Sequence, residues 1–162
     1  MHISEAITIR RTWTLRKYQD DLAYARRDAY AVSRFDGNIL LEEGITEALN
    51  LIGGIAATAF DNANASIGVG DDATAEDAGQ TGLQAGANKL YKGMEAGYPQ
   101  VTDQTITWQA VFGSSEANFA WNEFTVANGG SDAADNLNRK VSAQGTKTSG
   151  QTWTIDFDIT LS

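Results

Sequence analysis

Two stretches of this chain alternate apolar and polar residues with a period of two. In Thr105–Phe112 the residues Ile106, Trp108, Ala110 and Phe112 share a face. In Thr152–Leu161 the residues Trp153, Ile155, Phe157, Ile159 and Leu161 do, against Thr152, Thr154, Asp156, Asp158 and Thr160. Successive side chains of a strand point to opposite faces, so both stretches read as strands buried on one side only. Such strands must lay their apolar face on a second layer, and 162 residues suffice for one domain with one core. Sixteen glycines against a single proline suit many short strands joined by tight turns. The expected fold is mainly β: a two-sheet antiparallel β-sandwich, jelly-roll-like, with one α-helix and an extended N-terminal arm.

The rest of the chain fills in that outline. Residues 7–17 alternate as a strand, with Ile7, Ile9, Trp13 and Leu15 opposite Thr8, Arg10, Thr12, Thr14 and Arg16, and Arg11 interrupting the apolar face. From 19 to 35 the positions Leu22, Ala25, Ala29 and Val32 recur at helical spacing, but so weakly that an extended arm fits as well. After the Asp36-Gly37-Asn38 turn signal, Ile45, Leu49, Ile52 and Ala56 share one face of a helix near 40–58, weakened by Gly53 and Gly54. Residues 65–70 read as a short buried strand and 71–82 as an acidic loop without hydrophobic anchors. Phe119 and Trp121 alternate, whereas Phe124 and Val126 have changed parity, which predicts a bulge near Asn122 and Glu123. Hairpin turns are expected at Asn128-Gly129-Gly130 and Ser149-Gly150. The expected core comprises Ile106, Trp108, Phe112, Phe119, Trp121, Trp153, Ile155 and Phe157.

Composition removes whole classes of chemistry. With no cysteine, disulfides, thiolate metal sites and cysteine nucleophiles are excluded, and the only histidine, His2, stands at the start of the chain, away from any triad or multi-histidine zinc site. The start of the chain has no signal-peptide-like apolar core, and no run of about 18 apolar residues occurs, so the expectation is a soluble chain without a cleaved leader.

The net charge of −9 conceals a split. Residues 1–34 hold seven basic and four acidic side chains, a net of +3, and residues 35–162 hold five basic and 17 acidic, a net of −12. Two segments follow, a basic docking arm at 1–36 and an acidic body at 37–162. A nucleic-acid partner would meet the repulsion of that body, so none is expected, and no membrane contact either.

Other candidate sites are weaker. Gly68-Val69-Gly70-Asp71-Asp72 is glycine-rich but lacks the Lys-Ser/Thr of a phosphate loop, and its aspartates would repel phosphate. Asp71, Asp72, Glu76 and Asp77 do not have EF-hand spacing. Glu116 with Glu123, or Asp156 with Asp158, could be nominated as a glycosidase pair, but the last two fall on the outward face of a strand, where charge is the default. Trp108, Trp121 and Trp153 would make a sugar-stacking platform only if exposed, and all three lie on apolar faces. No catalytic residue, metal or cofactor is expected.

The stretch Gly37-Asn-Ile-Leu-Leu-Glu-Glu-Gly44, an apolar helix ending Leu51-Ile-Gly-Gly54, then Ala65-Ser-Ile-Gly-Val-Gly-Asp-Asp72, Thr81-Gly-Leu83 and Tyr91-Lys, resembles structural proteins of tailed-bacteriophage virions. Ala117-Asn-Phe-Ala-Trp121-Asn-Glu-Phe124, Gly145-Thr-Lys-Thr148 and Trp153 extend the resemblance over most of the chain beyond the arm. Arm and body together resemble capsid cement or decoration proteins, which implies a non-enzymatic protein that stabilises the shell by bridging neighbouring major capsid protein subunits. It also implies homo-oligomers, assembly in the host bacterial cytoplasm and a place on the capsid surface of the virion. In that reading Arg10, Arg11, Arg16, Arg26 and Arg27 pair carboxylates and Trp13, Tyr18, Tyr24 and Tyr30 anchor the arm. A tail fibre, collar or adaptor protein is the nearer alternative, and a carbohydrate- or host-surface-binding module the more distant one.

Overall fold

A computed structural model describes residues 6–162, so His2 lies outside the described residues. The strands are β1 (Ile9–Tyr18), β2 (Ala31–Asp36), β3 (Ile39–Leu40), β4 (Ser66–Gly70), β5 (Lys89–Gly93), β6 (Gln100–Thr102), β7 (Thr105–Phe112), β8 (Glu123–Ala127), β9 (Asn138–Val141) and β10 (Thr152–Leu161). Two helices, α1 (Asp21–Ala25) and α2 (Glu42–Ile52), complete the order. The chain is mainly β, and its two antiparallel five-stranded sheets run β2-β1-β10-β7-β6 and β3-β9-β8-β4-β5.

The two sheets share one core, as alternation demands. Phe157 lies between Trp13 and Trp108 in register, and the three rings stack, with Trp13 4.3 Å and Trp108 5.8 Å from Phe157. From the second sheet Phe124 reaches Trp13 at 5.7 Å, while Trp121, just before β8, meets Phe112 and Trp153 edge-on at 4.8 and 5.0 Å. Trp108, Phe112, Trp121, Trp153, Ile155 and Phe157 are buried; Ile106 and Phe119 are half-buried against them. All four tryptophans are therefore core residues, which removes the tryptophan sugar platform.

The N-terminal segment corrects the expectation of a projecting arm. Strand β1 pairs along its whole length with β10 and over residues 12–17 with β2, and Trp13 and Leu15 are fully buried. Its alternation supplies an apolar face to an interior that has no other first strand, so burial of that face outweighs the chain entropy of ordering it. Between β1 and β2 the weak helical pattern yields only the five-residue α1, capped by the Asp20 carboxylate accepting from the Ala23 N–H at 2.7 Å. There are thus two helices rather than one.

Two other readings change. The parity switch is not a bulge within one strand: Ala120 makes an isolated bridge to Thr146, and β8 begins afresh at Glu123. The helix expected near 40–58 ends at Ile52, where the two glycines follow, and it turns its apolar stripe outward. Gly44 faces in because the Leu137 backbone lies where a Cβ would stand, and Glu47 is buried because its carboxylate accepts from the Thr58 N–H at 2.5 Å and from Asn128 Nδ2 at 3.2 Å. Backbone proximity and hydrogen bonding decide the helix's rotation against the hydrophobic pattern.

Candidate functional site

An open cleft of about 680 Å³ lies on the outer face of the first sheet, at the end occupied by α1. The pleat puts Arg16 and Tyr18 of β1, Gln109 of β7, and Thr154 and Asp156 of β10 on its floor. Tyr24, Ala25, Arg27 and Ala29 wall it from α1 and the following turn, Val32 from β2, and Tyr98 from the opposite side. Four of the nine residues expected to bind a partner, Arg16, Tyr18, Tyr24 and Arg27, converge here.

The floor is an ordered polar set. Arg16 donates to Asp156 at 2.6 Å, and Gln109 Nε2 donates to the other carboxylate oxygen at 2.8 Å. The Asp156 hydrogen bond holds the Arg16 guanidinium above its ordinary pKa, against the opposing effect of burial. Tyr18 is buried and meets Tyr24 edge-on at 5.3 Å. Burial, with the Glu95 charge adding, pushes the Tyr24 phenol up, so it stays neutral. Asp156 spends its oxygens on two donors and anchors Arg16, while Arg27 makes no ion pair among the described residues. Such a cleft offers a spare guanidinium and tyrosine faces, residue types enriched where proteins meet.

The remaining expected partner residues scatter. Trp13 belongs to the core; Arg10, Arg26 and Tyr30 are exposed, and Arg11 is half-buried on the inner side of β1.

Sequence reasoning missed the polar groups inside the body. Arg139 is fully buried: it donates through Nε to Glu123 at 2.8 Å and through Nη1 to the Thr74 carbonyl at 2.8 Å and Gln80 Oε1 at 3.0 Å, and Nη2 lies 3.4 Å from Asp72. Glu123, also fully buried, accepts from the N–H groups of Gln84 and Ala85 at 2.9 and 2.8 Å. Glu76 accepts from the Val141 N–H at 2.6 Å. The loop at 71–82 is thus strapped to the second sheet by hydrogen bonds, which explains how it orders without hydrophobic anchors. Lys147, fully buried, places its ammonium on the carbonyls of Gly113 and Glu116 and on Asn118 Oδ1, at 2.7, 2.9 and 2.9 Å. Tyr91 and Lys89 both donate to Asp132, and burial followed by that carboxylate pushes the Tyr91 phenol far up. No local signal marked these groups: Arg139 stands between Asn138 and Lys140, and Lys147 between Thr146 and Thr148.

Among the described residues no group of three or more His, Asp or Glu side chains is placed to hold a metal ion. No helix among them is long and apolar enough to cross a membrane. Comparison with protein-family models, with curated proteins and with solved structures returned no match.

Proposed function

We propose that this chain is a non-enzymatic structural protein of a tailed-phage virion, a capsid cement or decoration protein that bridges neighbouring major capsid protein subunits and contacts copies of itself. One observation carries the reading. The arginines without an acidic partner among the described residues, Arg10, Arg11, Arg26, Arg27 and Arg34, all belong to the β1, α1 and β2 unit, whereas every basic side chain after residue 37 is engaged internally. Unspent cations gathered on one unit of a protein with net charge −9 suit recognition of an acidic protein surface.

The resemblance adds to this. Its motifs coincide with the skeleton of the fold: Gly68 of β4 lies so close to Thr125 and Tyr91 that a Cβ would come within 2.8 Å of both, Asp72 meets Arg139, Tyr91 holds Asp132, and Lys147 ties the 113–118 turn. A cement protein stabilises a shell by burying area across a junction, which needs a rigid body with an interaction face and no reacting groups. Absence of cysteine suits assembly in a reducing cytoplasm.

The contact is then made by a sheet face rather than by a loose arm. Arg10 and Arg34 both project from the outer face of the first sheet and are exposed. Co-sedimentation with expanded capsids of the phage that encodes the protein tests this. Wild type is expected to bind saturably and Arg10→Glu with Arg34→Glu to lose binding while melting normally. Equal binding by both would overturn the face assignment, and no binding by wild type would move the protein to the tail, as a fibre, collar or adaptor component.

A further inference from the structure

Helix α2 carries Glu42, Ile45, Leu49 and Ile52 along one stripe, followed by Ile55 beyond the turn. Ile45, Leu49 and Ile52 are 41%, 62% and 83% exposed. An amphipathic helix that shows water its apolar side is a contact surface without its partner. Glu42, in the first turn, gives the stripe an acidic head.

The outer-face cleft has a polar floor, but its concavity, one small apolar wall and its spare cation match the helix. It is concave where the helix is convex, it has Ala25, Ala29 and Val32 as apolar contacts, and beside them it presents Arg27, which makes no ion pair among the described residues. Val32 is 60% exposed, and Leu22 and Tyr30 nearby are also exposed.

The helix and the cleft lie at opposite ends of the molecule. The cleft is at the end where Tyr18 pairs with Thr152 and β10 begins. Strand β8 starts at that same end, since Trp121 packs on Phe112 and Trp153, and it runs past Phe124 and Trp13 to the far end. There Asn128 holds Glu47 of α2. One chain cannot place its own helix in its own cleft, but a neighbouring copy can.

We infer that α2 of one copy docks in the outer-face cleft of the next, with Ile45, Leu49 and Ile52 against Ala25, Ala29 and Val32, and Glu42 against Arg27. The contact joins two different surfaces, so it is heterologous and propagates into a closed ring or an open filament. The inference rests on reading the cleft as a protein-docking site and names a second copy of this chain as its occupant. Buried apolar area supplies the affinity, and the charge pair sets orientation and makes association fall with salt.

Sedimentation velocity and native mass spectrometry of the full chain at micromolar concentration test it, with two variants at exposed positions. Leu49→Glu with Ile52→Glu spoils the helix face, and Val32→Glu with Arg27→Glu spoils the cleft. Wild type is expected to form species larger than dimers, each variant alone to be monomeric with association weakened about tenfold or more, and an equimolar mixture of the two to form dimers and nothing larger. Monomeric wild type overturns the inference. So does self-association of the cleft variant, which would mean helix-to-helix pairing. Capsid co-sedimentation of the same variants separates the two failures: monomers that still sediment with capsids remove the second copy as occupant and leave the virion reading intact.

Discussion

The β1, α1 and β2 unit and the body that follows use basic residues in opposite ways. In the body each one is consumed: Lys89 and Lys92 on carboxylates, Arg139 buried among five oxygens, Lys140 beside Glu76, and Lys147 on three carbonyl oxygens. In the first unit Arg16 pairs with Asp156 and Lys17 caps the Trp153 ring, while Arg10, Arg26, Arg27 and Arg34 are exposed with no acidic partner among the described residues; Arg11, on the inner side of β1 with its Nε buried, is not among them. A basic side chain in a buried strand survives only if hydrogen bonds replace the water it loses, whereas one on an outer face keeps its hydration and its charge for another molecule. Charge count ranks the two regions the same way, +3 for residues 1–34 against −12 for the rest, but it does not say which charges are spent inside the fold. Burial is what separates structural charge from available charge.

That comparison breaks most decisively if the first unit is dispensable to the fold. Deleting residues 1–36 takes away β1 and β2 with Trp13 and Leu15, so circular dichroism should show loss of cooperative unfolding; a folded remnant would restore the arm. Next comes the body's buried pair. Arg139→Ala leaves Glu123 uncompensated at zero exposure and should cost about 3–5 kcal/mol in denaturant unfolding, together with loss of amide protection across 71–82. Trp13→Ala should cost a comparable 3–5 kcal/mol or so, showing that the inward side of the first unit is as structural as the body.

A smaller effect concerns acid. Burial pushes the Glu116 carboxyl up, but the Lys92 ammonium and the Gly113 N–H together outweigh it and hold its pKa below the ordinary value. A carboxyl depressed in the folded state contributes stability that is present above its unfolded pKa, about 4.3, and lost as pH falls through the folded one. Melting temperature should therefore drop on acidification below that point, and less steeply in Glu116→Gln. The smallest effect belongs to the unspent arginines. Arg26→Ala, exposed and unpaired, should stay within about 0.5 kcal/mol of wild type in the same unfolding measurement, and a larger loss would place it among the structural groups.

Much of the sandwich was legible because strand alternation is a local property. The apolar faces of β7 and β10 follow from their pattern, as does the burial of Trp108, Trp153 and Phe157, but the polar face of β10 does not stay open as expected: Thr152, Thr154 and Asp156 are buried beneath the cleft and α1. The candidate site was legible in part: Arg16, Tyr18, Tyr24 and Arg27 stood out as a basic, aromatic set, but Thr154, Asp156, Gln109 and Tyr98 join them only through pairing between distant strands.

By itself the sequence determined the strands at 7–17, 65–70, 105–112 and 152–161 with their apolar faces, and that thiol and histidine-triad chemistry is absent from the repertoire. Tertiary structure decided three things: that the first strand closes the sheet instead of reaching outward, that α2 turns its greasy stripe to solvent, and that Arg139 and Lys147 are internal. The physical reason is common to all three. Alternation and periodicity state that a face wants burial or that a charge wants partners, but the partner lies tens of residues away, and only the assembled backbone brings a competing carbonyl, carboxylate or close-packed chain to that place.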